Sequence, residues 1–219
     1  MKNFKLLQKI TFMVSFVFVS YFLFFNYIMK FHNKHYIIYL IVICILIYLY
    51  TRPKYISYLP TFPIYNNDEA YIVLKKWRNK TAKDIDFFKL TDPSISFAFV
   101  DYVNETEKDL KKIITAPQIV FIIMFFKYLI NRPRPYQIET EIKPIPSKTA
   151  STPALPAGHA FQAYYLAHVL SKRYPEKKRL FNNIAKRCDD VRVIGGIHYP
   201  SDGALSKQMV DFFIKINIF

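Results

Sequence analysis

Ile10 to Met29 runs for twenty residues without a charged side chain. A helix rises about 1.5 Å per residue, so this segment matches the ~30 Å hydrocarbon core of a bilayer. A secretory signal has a shorter apolar stretch and a small-residue cleavage site, whereas this run ends in Asn-Tyr-Ile-Met-Lys-Phe and reads as an uncleaved anchor. A second run, Tyr36 to Tyr50, has 15 residues and spans only about 22 Å as a helix. Tyrosines at both ends and Arg52 and Lys54 just beyond fit an interfacial belt; a buried core helix is the alternative. The sequence therefore predicts a membrane anchor over residues 1–54, a Pro-, Tyr- and Asn-rich linker over 55–67, and a globular domain over 68–219. Lys2, Lys5 and Lys9 favour a cytoplasmic N-terminus. The globular domain then faces the cytoplasm if both runs cross and the opposite side if only one does. The sequons at Asn79 and Asn104 are usable only in the second case.

Beyond the anchor the pattern is helical. Asp68 is placed to cap a helix carrying Ala70, Val73, Leu74 and Trp77, Asp92-Pro93 to open another through Phe97 and Val100, and Thr106 to Asp109 forms a capping box for a third. Ile113 to Ile130 is strongly apolar but is interrupted by Pro117 and Lys127, and reads as a buried core helix. His159 to Leu170 repeats apolar residues at helical spacing, with His168 on the core face. Lys177 to Arg192 is too charged to cross a bilayer. No segment alternates as a strand does, so the expected class is all-α. The excess of 31 Lys and Arg over 16 Asp and Glu points to an anionic partner. Two cysteines, Cys44 and Cys188, make neither a disulfide framework nor a zinc pattern.

Three segments carry chemistry. In Lys127-Tyr-Leu-Ile-Asn-Arg-Pro-Arg134-Pro135 each Arg precedes a proline and is pushed into extended geometry, so a helix ends where three cations gather. In Pro153-Ala-Leu-Pro156-Ala157-Gly158-His159, Pro156 is placed to start a helix whose first free N–H groups form an anion site beside an imidazole. The third, Arg192 to Asp202, supplies a cation, the imidazole of His198 and a carboxylate at the start of the last helix. Each signal alone is weak. Together they provide cations for phosphate oxygens, a helix N-terminus, two histidines and a carboxylate to fix the tautomer of one of them.

In order and spacing these residues resemble the signature of the type 2 phosphatidic acid phosphatase superfamily, which includes class A nonspecific acid phosphatases and vanadium haloperoxidases. The texture of the segment from about Lys127 to Leu205 is nearest to the class A enzymes. The resemblance implies a helical bundle of the acid phosphatase and haloperoxidase type. It implies that His198 attacks phosphorus, that Asp202 orients it, and that His159 protonates the leaving oxygen. Lys127, Arg134 and Arg192 would hold the phosphoryl oxygens, beside the backbone at Ala157 and Gly158. Two positions depart, since Ala157 and Val191 stand where serine is usual. Arg132, five residues from Lys127 instead of seven, is expected to be a supporting or surface charge, and His32 and His35 have no assigned partner.

The expected activity is that of a membrane-anchored phosphatase acting on phosphomonoesters, with lipid phosphates such as phosphatidate favoured, using no metal and no cofactor. A phosphotransferase or haloperoxidase would use the same pocket. A non-catalytic basic protein binding anionic lipid or nucleic acid is the reading from another class. Against it, the cations cluster with His and Asp, and no aromatic-basic platform for nucleic acid is present. The sequence assigns no oligomeric state.

Overall fold

The computed structural model describes residues 41–43 and 68–218 of the 219-residue chain. The chain divides into two units, Met1–Arg52 and Pro53–Phe219. Only residues 41–43 of the first are described, and they are helical. The expected span at 10–29, most of the run at 36–50 and the linker at 55–67 lie outside the described residues.

The described part of the second unit is all helical, as expected, with no strand among its residues. Its helices are α1 (Glu69–Arg78), α2 (Ala82–Thr91), α3 (Glu107–Ile114), α4 (Pro117–Ile130), the single turn α5 (Pro135–Ile138), α6 (Gly158–Arg173), α7 (Lys178–Ile194) and α8 (Pro200–Lys215). Two 3-10 turns, Ile95–Ala98 and Val100–Tyr102, link α2 to α3. The capping box at the start of α3 forms as the sequence suggests: Thr106 Oγ1 accepts from Asp109 N at 3.2 Å and the Asp109 carboxylate accepts from Thr106 N at 3.2 Å. That pair satisfies two N–H groups the helix leaves open.

Helix α6 lies at the centre, packed along α7 and against α8. Leu166 and Leu170 of α6 meet Phe181 and Cys188 of α7 together with Leu110 and Ile114 of α3. On another side Phe161 of α6 meets Ile119 and Ile123 of α4 and Met209 and Val210 of α8. Helix α1 is held by Val73 and Leu74 against Val193 and Tyr199. The α7–α8 crossing is close enough to demand glycine: a Cβ on Gly203 would sit 1.8 Å from Asp189 Oδ1. This crossing brings the end of α7 and the start of α8 beside the N-terminus of α6.

Three local expectations change. Asp92 does not open a helix. It closes α2, and Ser94 caps the following 3-10 turn, because Ser147 and Arg192 engage the Asp92 carboxylate instead. Helix α6 begins at Gly158 and not at Pro156, because Ala157 is extended and serves as the N-cap. Ile113 to Ile130 is not one buried core helix, for the chain breaks before Pro117 and α4 buries only one side, through Ile119, Ile123, Lys127 and Ile130. Phe121, Phe125 and Leu129 on its other side are 67%, 50% and 51% exposed. Among the described residues no single helix is long and apolar enough to cross a membrane. The stretches Glu107–Ile114 and Pro117–Ile138 together have the length and composition, bent by 49°.

Candidate active site

A cavity of about 240 Å³ opens where α4, the segment before α5, the N-terminus of α6 and the segment between α7 and α8 converge. Lys127, Arg134, Gly158, His159 and His198 all line it. Residues from three motif segments, separated by up to 71 positions in sequence, therefore share one concave site. A larger cavity of about 630 Å³, lined by Lys76, Tyr164, Asp189 and Lys207 among others, holds none of the candidate catalytic or phosphate-binding side chains.

His198 Nδ1 lies 3.1 Å from Asp202 Oδ2, and its Nε2 lies 3.2 Å from Arg134 Nη1. A carboxylate only accepts and a guanidinium only donates, so the proton sits on Nδ1 and Nε2 carries the lone pair. Burial depresses the pKa of His198 well below its usual value, with Arg134 and Lys127 adding to the effect. The imidazole is thus neutral, and Nε2 is the ring nitrogen left unprotonated. Asp202 is fully buried in the first turn of α8, where its Oδ2 also accepts the Tyr199 N–H at 2.9 Å. Burial pushes the Asp202 carboxyl up, while Arg132 and the Tyr199 N–H pull against it.

His159, the second residue of α6, has its Nε2 3.0 Å from the Asp92 carbonyl. A carbonyl only accepts, so Nε2 holds the proton and Nδ1 is the position that can take or give one. Burial, then Arg192, lowers the pKa of His159 well below 6.5, so it is neutral before any anion arrives. A bound phosphate would offset the cations that depress it and favour protonation at Nδ1.

The cations are buried and oriented. Lys127 donates to the carbonyls of Pro153 and Ala154 at 2.6 and 3.3 Å. Arg134 donates through Nε to Thr152 O at 2.9 Å and through Nη1 to Ile197 O at 2.8 Å. Those main-chain carbonyls fix the side chains without neutralising them, which leaves their charge for an anion. The N–H groups of Gly158, His159 and Ala160 precede the first α6 hydrogen bond, Phe161 N to Ala157 O at 2.9 Å, and sit at the positive end of the helix. Arg192 is completely buried but does not line the cavity: it contacts Thr91 Oγ1 and Asp92 Oδ1 and lies 4.5 Å over the Phe88 ring. Ala157 is fully buried behind the cavity, its N–H 3.4 Å from the Asp202 carbonyl.

Several partners escape sequence reasoning. Asp92 braces the site twice, through its carbonyl to His159 and its carboxylate to Arg192. Arg132 is no surface charge, since it is 0% exposed and paired with Asp202 Oδ1 at 2.8 Å. Glu69 binds Arg132 from 63 residues away at 3.0 Å. No short-range spacing could announce contacts at such separations. His168 is only half-buried, its Nε2 without a hydrogen-bond partner, so it belongs to the edge of the core. Among the described residues no group of three or more His, Cys, Asp or Glu side chains is arranged to hold a metal ion.

Residues 113–206 match the family model of the PAP2 superfamily, which bears out the resemblance read from the motifs. Glu69 and Asp92 lie outside that stretch. No curated protein matches the chain. Among solved structures, a transmembrane PAP2-type phosphatidylglycerolphosphate phosphatase from Bacillus subtilis aligns at 18% identity over 90% of this chain and 96% of its own, with a TM-score of 0.33. At that score neither its fold nor its substrate carries over.

Proposed function

We infer that this chain, whose residues 113–206 carry the PAP2 superfamily pattern, is a membrane-anchored phosphatase that hydrolyses phosphomonoesters through a phosphohistidine. The observation that carries the reading is the fixed tautomer of His198, held by Asp202 on one nitrogen and by Arg134 on the other, in a cavity shared with Lys127 and His159. Lys127, Arg134 and the N-terminus of α6 bind the phosphoryl oxygens, while Arg192 supplies positive charge from behind. Arg134 turns from Nε2 to the phosphate, and Nε2 attacks phosphorus. His159, protonated at Nδ1, gives that proton to the leaving oxygen as the P–O bond breaks. It then takes a proton from the water that attacks the phosphohistidine, releasing phosphate and restoring the imidazole. Such a site works by positioning and charge neutralisation, which these residues are suited to provide.

A lipid phosphate is the favoured substrate class. Ile114, Val120, Ile123 and Met124 form an apolar wall on the same cavity, and the exposed apolar side of α4 continues outward through Phe121 and Phe125. That surface and the charge-free run at 10–29 support a location at the membrane. The test is phosphate release by the purified full chain from a chromogenic aryl phosphate and from detergent-dispersed phosphatidate. Turnover lost in His198→Ala supports the reading. Binding of anionic vesicles or DNA without turnover would replace it with the non-catalytic alternative.

A further inference from the structure

We propose that Arg132 and Glu69 are positioning residues for this reaction, a buried guanidinium and the half-buried carboxylate that holds it, which together fix the rotation of the Asp202 carboxylate and through it the imidazole of His198. The proposal rests on the reading of the site as a phosphatase.

The two oxygens of Asp202 have separate duties. Oδ2 faces His198 Nδ1 and the Tyr199 N–H, while Oδ1 takes Arg132 Nη1 at 2.8 Å. A carboxylate held at one oxygen by a guanidinium cannot turn about its own axis without breaking that bond, so the oxygen facing the imidazole stays in place. Arg132 is fixed in turn. Its other terminal nitrogen binds Glu69 Oε2 at 3.0 Å, Nη1 also meets Ser201 Oγ at 2.6 Å, and the guanidinium lies 3.8 Å over the Tyr199 ring. Glu69 closes the loop by accepting the Ser201 N–H at 3.2 Å and the Ser201 hydroxyl. The first turn of α1, the segment after α4 and the first turn of α8 are thereby tied around one carboxylate. Glu69 comes from outside the stretch that matches the superfamily.

Charge gives the pair a role that packing alone would not have. The charged and titratable groups around Asp202 and His198 are Lys127 from α4, Arg132 and Arg134 from the segment after it, His159 from α6, Asp189 and Arg192 from α7, and Glu69 from α1. Arg132 is the largest influence favouring ionised Asp202, and it also disfavours protonation of His198. Removing its charge therefore raises both protonation midpoints, and both shifts move the acid limb of activity to higher pH.

The experiment follows histidine tautomers by nitrogen NMR across pH in the full chain, with the His198 signal assigned by His198→Gln, beside aryl phosphate kinetics. In Arg132→Met the His198 midpoint and the acid limb should rise by about one pH unit or more, with kcat falling about 10- to 100-fold, as when a group that orients a reactive histidine is lost. KM should stay within about threefold, because the phosphate ligands remain. Arg132→Lys should restore most of the pH profile, and Glu69→Gln should lower kcat a few-fold with its melting temperature retained. A His198 titration in Arg132→Met identical to the native one overturns the proposal. So does native kcat in both Arg132→Lys and Glu69→Gln, which serve if the methionine variant does not fold. The NMR readout needs no turnover, so an inactive native chain refutes the phosphatase reading while leaving the positioning claim to be decided by the titration.

Discussion

Asp202→Asn removes a single charge with almost no change of shape, and the geometry leaves the new amide no good orientation. If its oxygen takes the Oδ1 position to keep Arg132 at 2.8 Å, the NH2 faces His198 Nδ1 and the Tyr199 N–H. His198 must then move its proton to Nε2, which blocks the attacking nitrogen and opposes the donor from Arg134. If the oxygen takes the Oδ2 position, the NH2 meets a fully buried guanidinium, donor against donor. The first arrangement abolishes the nucleophile and the second strands a charge. Wrong-tautomer substitutions of this kind lower kcat by about 10⁴-fold, and breaking one side of a buried ion pair costs about 3–5 kcal/mol. Glu69 still pairs with Arg132, so the lower end of that stability range is expected. Aryl phosphate turnover and urea denaturation of the same preparation measure both. An Asp202→Asn enzyme retaining more than about a tenth of native kcat would refute the tautomer argument.

Ala157→Ser should change activity by no more than a few-fold, since Ala157 is buried behind the cavity and one hydrogen bond there is worth about 1 kcal/mol while Lys127 and Arg134 remain on the cavity wall; a large loss in steady-state kinetics would contradict the geometry around the start of α6. Asp189 has one carboxylate oxygen without a hydrogen-bond partner, and burial raises its pKa from 3.8 to about 6. The native state therefore holds this proton more tightly than the unfolded chain, and stability falls as pH rises from about 4 through about 6, by up to ~3 kcal/mol. Asp189→Asn should raise the melting temperature at pH 7 with the gain vanishing near pH 4, and equal curves at both pH values would count against it. Activity should survive EDTA, because the charge stabilisation falls to Lys127 and Arg134, whereas vanadate should inhibit; magnesium-reversible loss in EDTA would overturn that assignment.

The candidate site strings were legible because each is local. Lys127 with Arg134, Gly158 with His159, and His198 with Asp202 are read from spacings within a helix turn or two, and helical periodicity anticipated α6 and the capping box of α3. What stayed hidden depends on contacts between distant segments. Arg132 looked peripheral because its spacing from Lys127 is wrong for the phosphate, yet burial and two carboxylates, one 63 and one 70 residues away, give it a place behind the site. Asp92 carried a strong local signal as a helix opener, and tertiary demand from Ser147 and Arg192 overrode it. The apolar run through α4 suggested burial on all sides, but hydrophobicity alone does not distinguish a face packed on protein from one left exposed.

The most direct test of the central claim is to trap the covalent state. His159→Ala should still form the phosphohistidine from an aryl phosphate whose phenolate leaves without a proton, but should hydrolyse it slowly for want of a base. With radiolabelled substrate and an alkaline quench, the account predicts about one alkali-stable, acid-labile label per chain, located at His198 and absent from the His159→Ala, His198→Ala double variant. Label on any other residue, or phosphate release by His159→Ala in a single turnover with no label at any time, would contradict it.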